Sequence, residues 1–193
     1  MKIFLIVFIL CSSLFSMSIN HSLLKVHATL LPKIYLMEYD VDKKIKNDTI
    51  DISIFYTQNT YKSAKVLKNM ILEKYKDGIK KYKISIHTIS YSSSNKPDSN
   101  IYYLLPTSKE HISSMVKKAK KTGALTFSYL EDDLHHGVMI SLNVSKKIKP
   151  VLNLDAIKEN KISLRPVLIK ISCIFHKKDP LCLSEQMFIK FIS

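Results

Sequence analysis

Residues 101–130 read IYYLLPTSKEHISSMVKKAKKTGALTFSYL: an apolar run, a helical period and a second apolar run. Five consecutive apolar residues, Ile101 to Leu105, suit a strand covered on both faces, as strands of parallel sheets are. After Pro106, Thr107 and Glu110 stand at capping-box spacing. Ile112, Met115, Val116 and Ala119 then recur at helical spacing, and Gly123 closes the segment. Ala124 to Leu130 is apolar again and predicts the next strand. Strand, helix and strand in succession imply parallel neighbours, because only a crossover returns the chain to run the same way.

The rhythm extends in both directions. Leu23 to Tyr39 predicts an opening helix interrupted or kinked at Pro32, and Lys43 to Asp48 a polar loop. Ile50 to Tyr56 alternates as a strand should. Ala64, Leu67, Met70, Ile71 and Tyr75 are helical, with Asp77-Gly78 as the stop. Lys83 to Ile89 alternates again, and Ser92 to Asn100 predicts a loop. Beyond Gly137, Val138–Asn143 and Ile148–Leu154 are apolar stretches joined by Ser145-Lys146-Lys147, which predicts an antiparallel hairpin. Asp155–Asn160 reads as a helical turn, and Ser163 as the cap of Leu164–Ile171, with Pro166 tolerated in the first turn. The tail ends on the amphipathic Met187-Phe188-Ile189-Lys190-Phe191-Ile192. The expected fold is α/β: a single domain with a mainly parallel sheet, flanking helices and a C-terminal antiparallel hairpin.

Composition agrees with one folded domain. The 193 residues are 46% hydrophobic and 24% charged, which excludes disordered, collagenous and multi-span membrane classes. The formal charge is +14, yet Arg165 is the only arginine. Nucleic-acid readers use the arginine fork, so a diffuse lysine excess without a motif argues against nucleic acid as a partner. Three glycines and no G-x-G-x-x-G or P-loop leave little to cradle a phosphate. Ser92-Ser93-Ser94 lacks the G-x-S-x-G frame of a nucleophile. Lys117-Lys118 and Lys120-Lys121 read as the wet face of their helix.

Lys2, the apolar run Ile3–Leu10 and the small residues ending Ser16-Met17-Ser18 follow the order of a secretory signal peptide. The run is too short for a bilayer span of about 20 residues. Cleavage after Ser18 is expected, and Leu10 before Cys11 disfavours a lipoprotein anchor. The chain then divides into a signal peptide, 1–18, and an α/β domain, 19–193, with a core at 24–172 and a tail at 173–193. Cys173 and Cys182 remain. In an oxidising periplasm such a pair is most simply a disulfide, and its spacing is neither C-x-x-C nor that of a zinc knuckle.

The most suggestive polar cluster is Glu131-Asp132-Asp133-Leu134-His135-His136-Gly137. It follows the last parallel strand, where open sheets bind ligands. Asp132, Asp133, His135 and His136 offer metal-binding chemistry. Adjacent histidines do not share a helix face, however, and acidic residues before glycine are common turn material. These four residues are carried forward as a ligand or partner loop, with no metal assigned.

Gly123–Ile171 resembles the C-terminal part of the YfiR family of periplasmic proteins. The residues that carry the resemblance are Leu125-Thr126-Phe127-Ser128, Gly137-Val138-Met139-Ile140, Leu152-Asn153-Leu154-Asp155-Ala156 and Ile162-Ser163 with Val167-Leu168. Lys149-Pro150-Val151 departs from the Arg-Phe-acidic run usual there, and Pro166 and the tail look particular to this chain. The resemblance covers residues 24–172. It implies a secreted flavodoxin-like or Rossmann-like domain without catalytic machinery or cofactor. The implied role is to bind the periplasmic region of an inner-membrane diguanylate cyclase or sensor protein and hold it inactive. A homodimer is compatible with this. The rival expectations are a periplasmic small-molecule-binding protein and a metal-dependent envelope enzyme using the 131–137 loop.

Overall fold

A computed structural model describes residues 19–144 and 147–176. The expected signal peptide, Cys182 and the Met187–Ile192 segment lie outside the described residues. Seven strands form one sheet: β1 Thr49–Tyr56, β2 Lys83–Ser90, β3 Ile101–Leu104, β4 Leu125–Ser128, β5 Ile140–Val144, β6 Ile148–Leu152 and β7 Cys173–Ile174. Their order is β2-β1-β3-β4-β5-β6-β7. The first five are parallel, β6 is antiparallel to β5, and β7 runs parallel to β6. The α/β class, the parallel sheet and the hairpin are therefore as expected. The edge strand β7, formed where the tail begins, was not foreseen.

The strands bury both faces, as the apolar runs require. Ile50, Ile52 and Ile54 of β1, Ile101 and Tyr103 of β3, and Leu125 and Phe127 of β4 point one way. Helices α1 (His21–Tyr35) and α3 (Tyr61–Lys74) cover that side with Leu24, Ala28, Leu31, Ala64, Leu67 and Ile71. Phe55, Tyr102 and Leu104 point the other way, under Ile112, Met115 and Ala119 of α4 (Lys109–Thr122). Two short helices, α5 (Leu154–Glu159) and α6 (Pro166–Ile171), join the first side through Ala156, Ile157 and Leu168.

Several boundaries differ from expectation for identifiable reasons. The opening helix continues through Pro32 and ends at Tyr35, not Tyr39; Asn20 caps its start by accepting from the Leu23 N–H at 3.1 Å. Part of the predicted polar loop is a helical turn, α2 (Val41–Lys44), because Val41 is buried and anchors it. The capping box Thr107/Glu110 does not form. Ser108 occupies the cap position, and the Thr107 hydroxyl pairs with His111 Nδ1 at 2.9 Å instead. Ser163 is likewise no cap: its carbonyl accepts the Tyr39 N–H at 2.9 Å in an extended bridge, and α6 begins at Pro166 after Arg165. The β2-to-β3 crossover passes over β1 as a loop, as expected for Ser92–Asn100. Pro150 sits within β6 opposite Leu142, but β7 pairs only with Val151 and Leu152, so no ladder donor is missed. Among the described residues no helix is long and apolar enough to cross a membrane.

Candidate functional site

The chain reverses strand order between β1 and β3, so the C-terminal rim of the sheet is where this architecture places binding loops. Three connections build that rim. After β1, Thr57 and Thr60 form a reciprocal cap, with the Thr57 N–H donating to the Thr60 hydroxyl at 2.9 Å. Tyr56 and Tyr61 pack there at 5.0 Å between ring centroids. After β3, His111 lies flat on Tyr91 at 5.1 Å, while the Tyr91 hydroxyl donates to the Leu105 carbonyl at 2.9 Å. Tyr91 thus fills the crevice, and burial beside Asp133 pushes its hydroxyl well above the usual tyrosine range.

The third connection is Glu131–His136, a 3-10 turn closed by Gly137 at φ +90°. It does not present its four candidate residues together. Asp133 turns inward, 6% exposed, and accepts from the Ser128 hydroxyl, which in turn accepts the Leu130 N–H at 3.1 Å. Burial raises the Asp133 carboxyl above the usual carboxylate range, and the Ser128 hydrogen bond opposes that shift. Asp132 and His135 are exposed, and His136 is half-buried. His135 meets Phe175 edge-on at 4.7 Å. Among the described residues no group of three or more His, Cys, Asp or Glu side chains converges as a metal site would. The turn is held from beneath by Asn153, which donates to the Leu134 carbonyl at 2.9 Å and caps α5 through the Ala156 N–H at 3.1 Å. Cys173 is buried at the start of β7.

Two buried polar groups escaped the sequence reading. His27, fully buried on α1, shares a hydrogen bond with the Tyr103 hydroxyl at 2.8 Å among the rings of Tyr103, Phe127 and Tyr129. Burial pushes its pKa down to about 3. Its position on the apolar stripe of α1 was the available signal. At the opposite, N-terminal edge of the sheet, Glu38 is 2% exposed and paired with Lys44. The Lys44 carbonyl accepts from Asn100 at 3.1 Å, and Asn100 Oδ1 accepts the Asp51 N–H at 2.8 Å. No sequence signal marked this group, because Asn100, which ties the Lys44 and Asp51 backbones together, comes from a distant part of the chain.

The arrangement is a doubly wound α/β domain whose Glu131–His136 turn sends Asp133 inward and leaves Asp132 and His135 exposed. The chain belongs to the YfiR/HmsC-like family, whose model matches residues 42–172. Among solved structures, it resembles a conserved domain protein of Vibrio cholerae O1 biovar El Tor, with 14% identity and a TM-score of 0.53. That match covers 78% of this chain and 59% of the other. It also resembles the ABC domain from Streptococcus pneumoniae crystallised with L-Trp, at 9% identity and a TM-score of 0.51, covering 78% and 61%. The chain spans about three fifths of the length of each, and at these identities the likeness is one of fold. None of the curated proteins matches the sequence.

Proposed function

We infer that this protein is a secreted periplasmic regulator that binds an inner-membrane signalling protein, a diguanylate cyclase, on its periplasmic side and holds it inactive. The family match over residues 42–172 carries this reading. An inhibitor of this kind needs a surface with higher affinity for the partner's inactive state, and no catalysis or cofactor. Asp132, His135 and His136 are the proposed contact residues of the rim loop, with Asp133 holding the turn that presents them. The signal-peptide pattern of residues 1–18 supports the location.

The test is cellular cyclic di-GMP in a deletion strain, compared with its parent and with a strain complemented by the secreted form. A rise that complementation reverses is expected; an unchanged level overturns the cyclase reading. The Cys173–Cys182 disulfide is proposed as a stabiliser of the domain. Closing a ten-residue loop constrains the unfolded chain by about 2.5 kcal/mol. Reduction is therefore expected to lower the melting temperature, and an unchanged value removes that role.

Solute binding is the second reading, drawn from the fold shared with a domain crystallised with L-Trp. It predicts a ligand-dependent rise in melting temperature across a metabolite panel that includes L-Trp.

A further inference from the structure

The formal charge of +14 is unevenly compensated over the fold. On α4, Lys118 is paired with Asp98 at 3.0 Å and Lys120 with Glu159 at 3.7 Å. Around α2, Lys43, Lys44 and Lys81 meet Asp40, Glu38 and Asp42. The two helices on the other side of the sheet differ. α1 carries Lys25 and Lys33 and no acidic residue, and α3 carries Lys62, Lys65, Lys68 and Lys74 against Glu73 alone. Among the described residues no ion pair reaches any of these six lysines.

α1 and α3 present their charges in one direction. Both pack on the same side of the sheet through Leu24, Leu31, Leu67 and Ile71. The Tyr75 hydroxyl, at the end of α3, donates to the Thr29 carbonyl of α1 at 2.6 Å and joins the helices into one layer. Lys25 and Lys33 stand about two turns apart on the exposed side of α1. Tyr61, Lys65 and Leu72 follow one line along the exposed side of α3. That line is not purely polar: Tyr61 is 40% and Leu72 37% exposed, and the Lys65 ammonium lies over the Tyr61 ring at 5.5 Å.

We propose that this face docks the domain peripherally on an anionic phospholipid surface, its lysines above the headgroup phosphates and Tyr61 and Leu72 entering the boundary with the acyl chains. Uncompensated lysines on a rigid layer attract a negative surface, and each adds to the affinity within a Debye length. Apolar side chains among the cations add area that a lipid interface buries and a hydrated polyanion does not. Headgroups ask for charge density and no planar fork, which lysine supplies without arginine. The Glu131–His136 turn is clear of this face, because its Leu134 is buried with Ile112 and Met115 of α4 on the opposite side. Docking therefore leaves that loop free for a protein, and the proposal does not depend on the identity of any signalling partner.

The test is co-sedimentation of the secreted form of the full chain with sucrose-loaded vesicles of phosphatidylglycerol and phosphatidylethanolamine, compared with vesicles of phosphatidylcholine. Binding to the anionic vesicles alone, reversed by about 0.5 M salt, is expected. Replacing Lys25, Lys33, Lys62 and Lys65 together by Gln should lower the partition coefficient by roughly a hundredfold or more, at about fivefold per lysine. The same change at Lys109, Lys117, Lys120 and Lys121 removes equal charge from the opposite side and should cost no more than about fivefold. Leu72→Ser should weaken binding about threefold at unchanged charge. Thermal melts should match the wild type for all three variants. A wild type that ignores anionic vesicles overturns the proposal, as does an equal loss from the α4 variant, which marks net charge and not a face. Leu72→Ser binding as tightly as the wild type assigns the face to a hydrated polyanion and overturns the lipid reading.

Discussion

His27 gives the sharpest test of the packing. Its folded pKa of about 3 lies below the ordinary histidine value near 6.5 because burial disfavours the imidazolium. Between those values the unfolded chain takes up a proton that the folded chain refuses. Stability from this group is therefore complete above about pH 6.5 and is lost as the pH falls towards 3. At about 1.4 kcal/mol per pH unit, the loss between pH 7.5 and pH 5 comes to about 2 kcal/mol. Glu38 and Asp133, whose carboxyls burial raises, act in the opposite sense, so a variant must isolate the histidine. Replacing both hydrogen-bonded partners, as His27→Phe with Tyr103→Phe, leaves neither an unpaired buried hydroxyl nor a titrating group. At pH 7.5 the double variant is expected to lie within about 1 kcal/mol of wild type. At pH 5 it should be the more stable by about 2 kcal/mol relative to that starting difference. Urea denaturation at the two pH values measures both quantities. Parallel pH profiles for the two proteins would refute the argument, since every other titrating group is common to them.

Three further predictions concern the contacts that hold the elements in place, each read by urea denaturation. Lys44→Met leaves Glu38 buried without its cation and should cost about 2 kcal/mol at neutral pH; the penalty should shrink as acid protonates Glu38, whose pKa burial already raises. Asn153→Ala removes the cap of α5 and a side-chain donor to the Leu134 carbonyl, for about 2 kcal/mol, and should speed proteolysis in the 131–137 turn. Gly78→Ala should be worse than Gly137→Ala: at φ +82° the new methyl collides with the rigid Tyr82 carbonyl, whereas at Gly137 it meets the movable Val116 side chain at 3.2 Å. Costs of about 3 and 1–2 kcal/mol are expected, and equal losses would contradict the distinction.

Much of the architecture was legible from local chemistry. A strand or helix that must bury one side writes its period into the chain, so Ile101–Leu105, the α4 stripe and the β5–β6 hairpin could be placed without coordinates. The resemblance to the YfiR family rested on that same well-patterned region, and the family match of residues 42–172 contains it. Helix starts were less legible. Thr107 and Ser163 have the chemistry of caps, but a hydroxyl goes to its nearest partner in space, here His111 for one and no helix at all for the other.

The sequence alone determined that the chain is α/β, that its sheet is mainly parallel, and where the apolar surfaces lie, because these depend on periodicity within a dozen residues. Only the tertiary structure decided the strand order, which leaves β2 exposed along its length, and the separation of Asp133 from Asp132, which a 3-10 turn sends to opposite sides of one surface. It also decided that His27 and Glu38 are buried. A polar side chain can leave water only when partners from distant segments meet it, and such meetings are set by the packing of the whole domain, not by any local pattern.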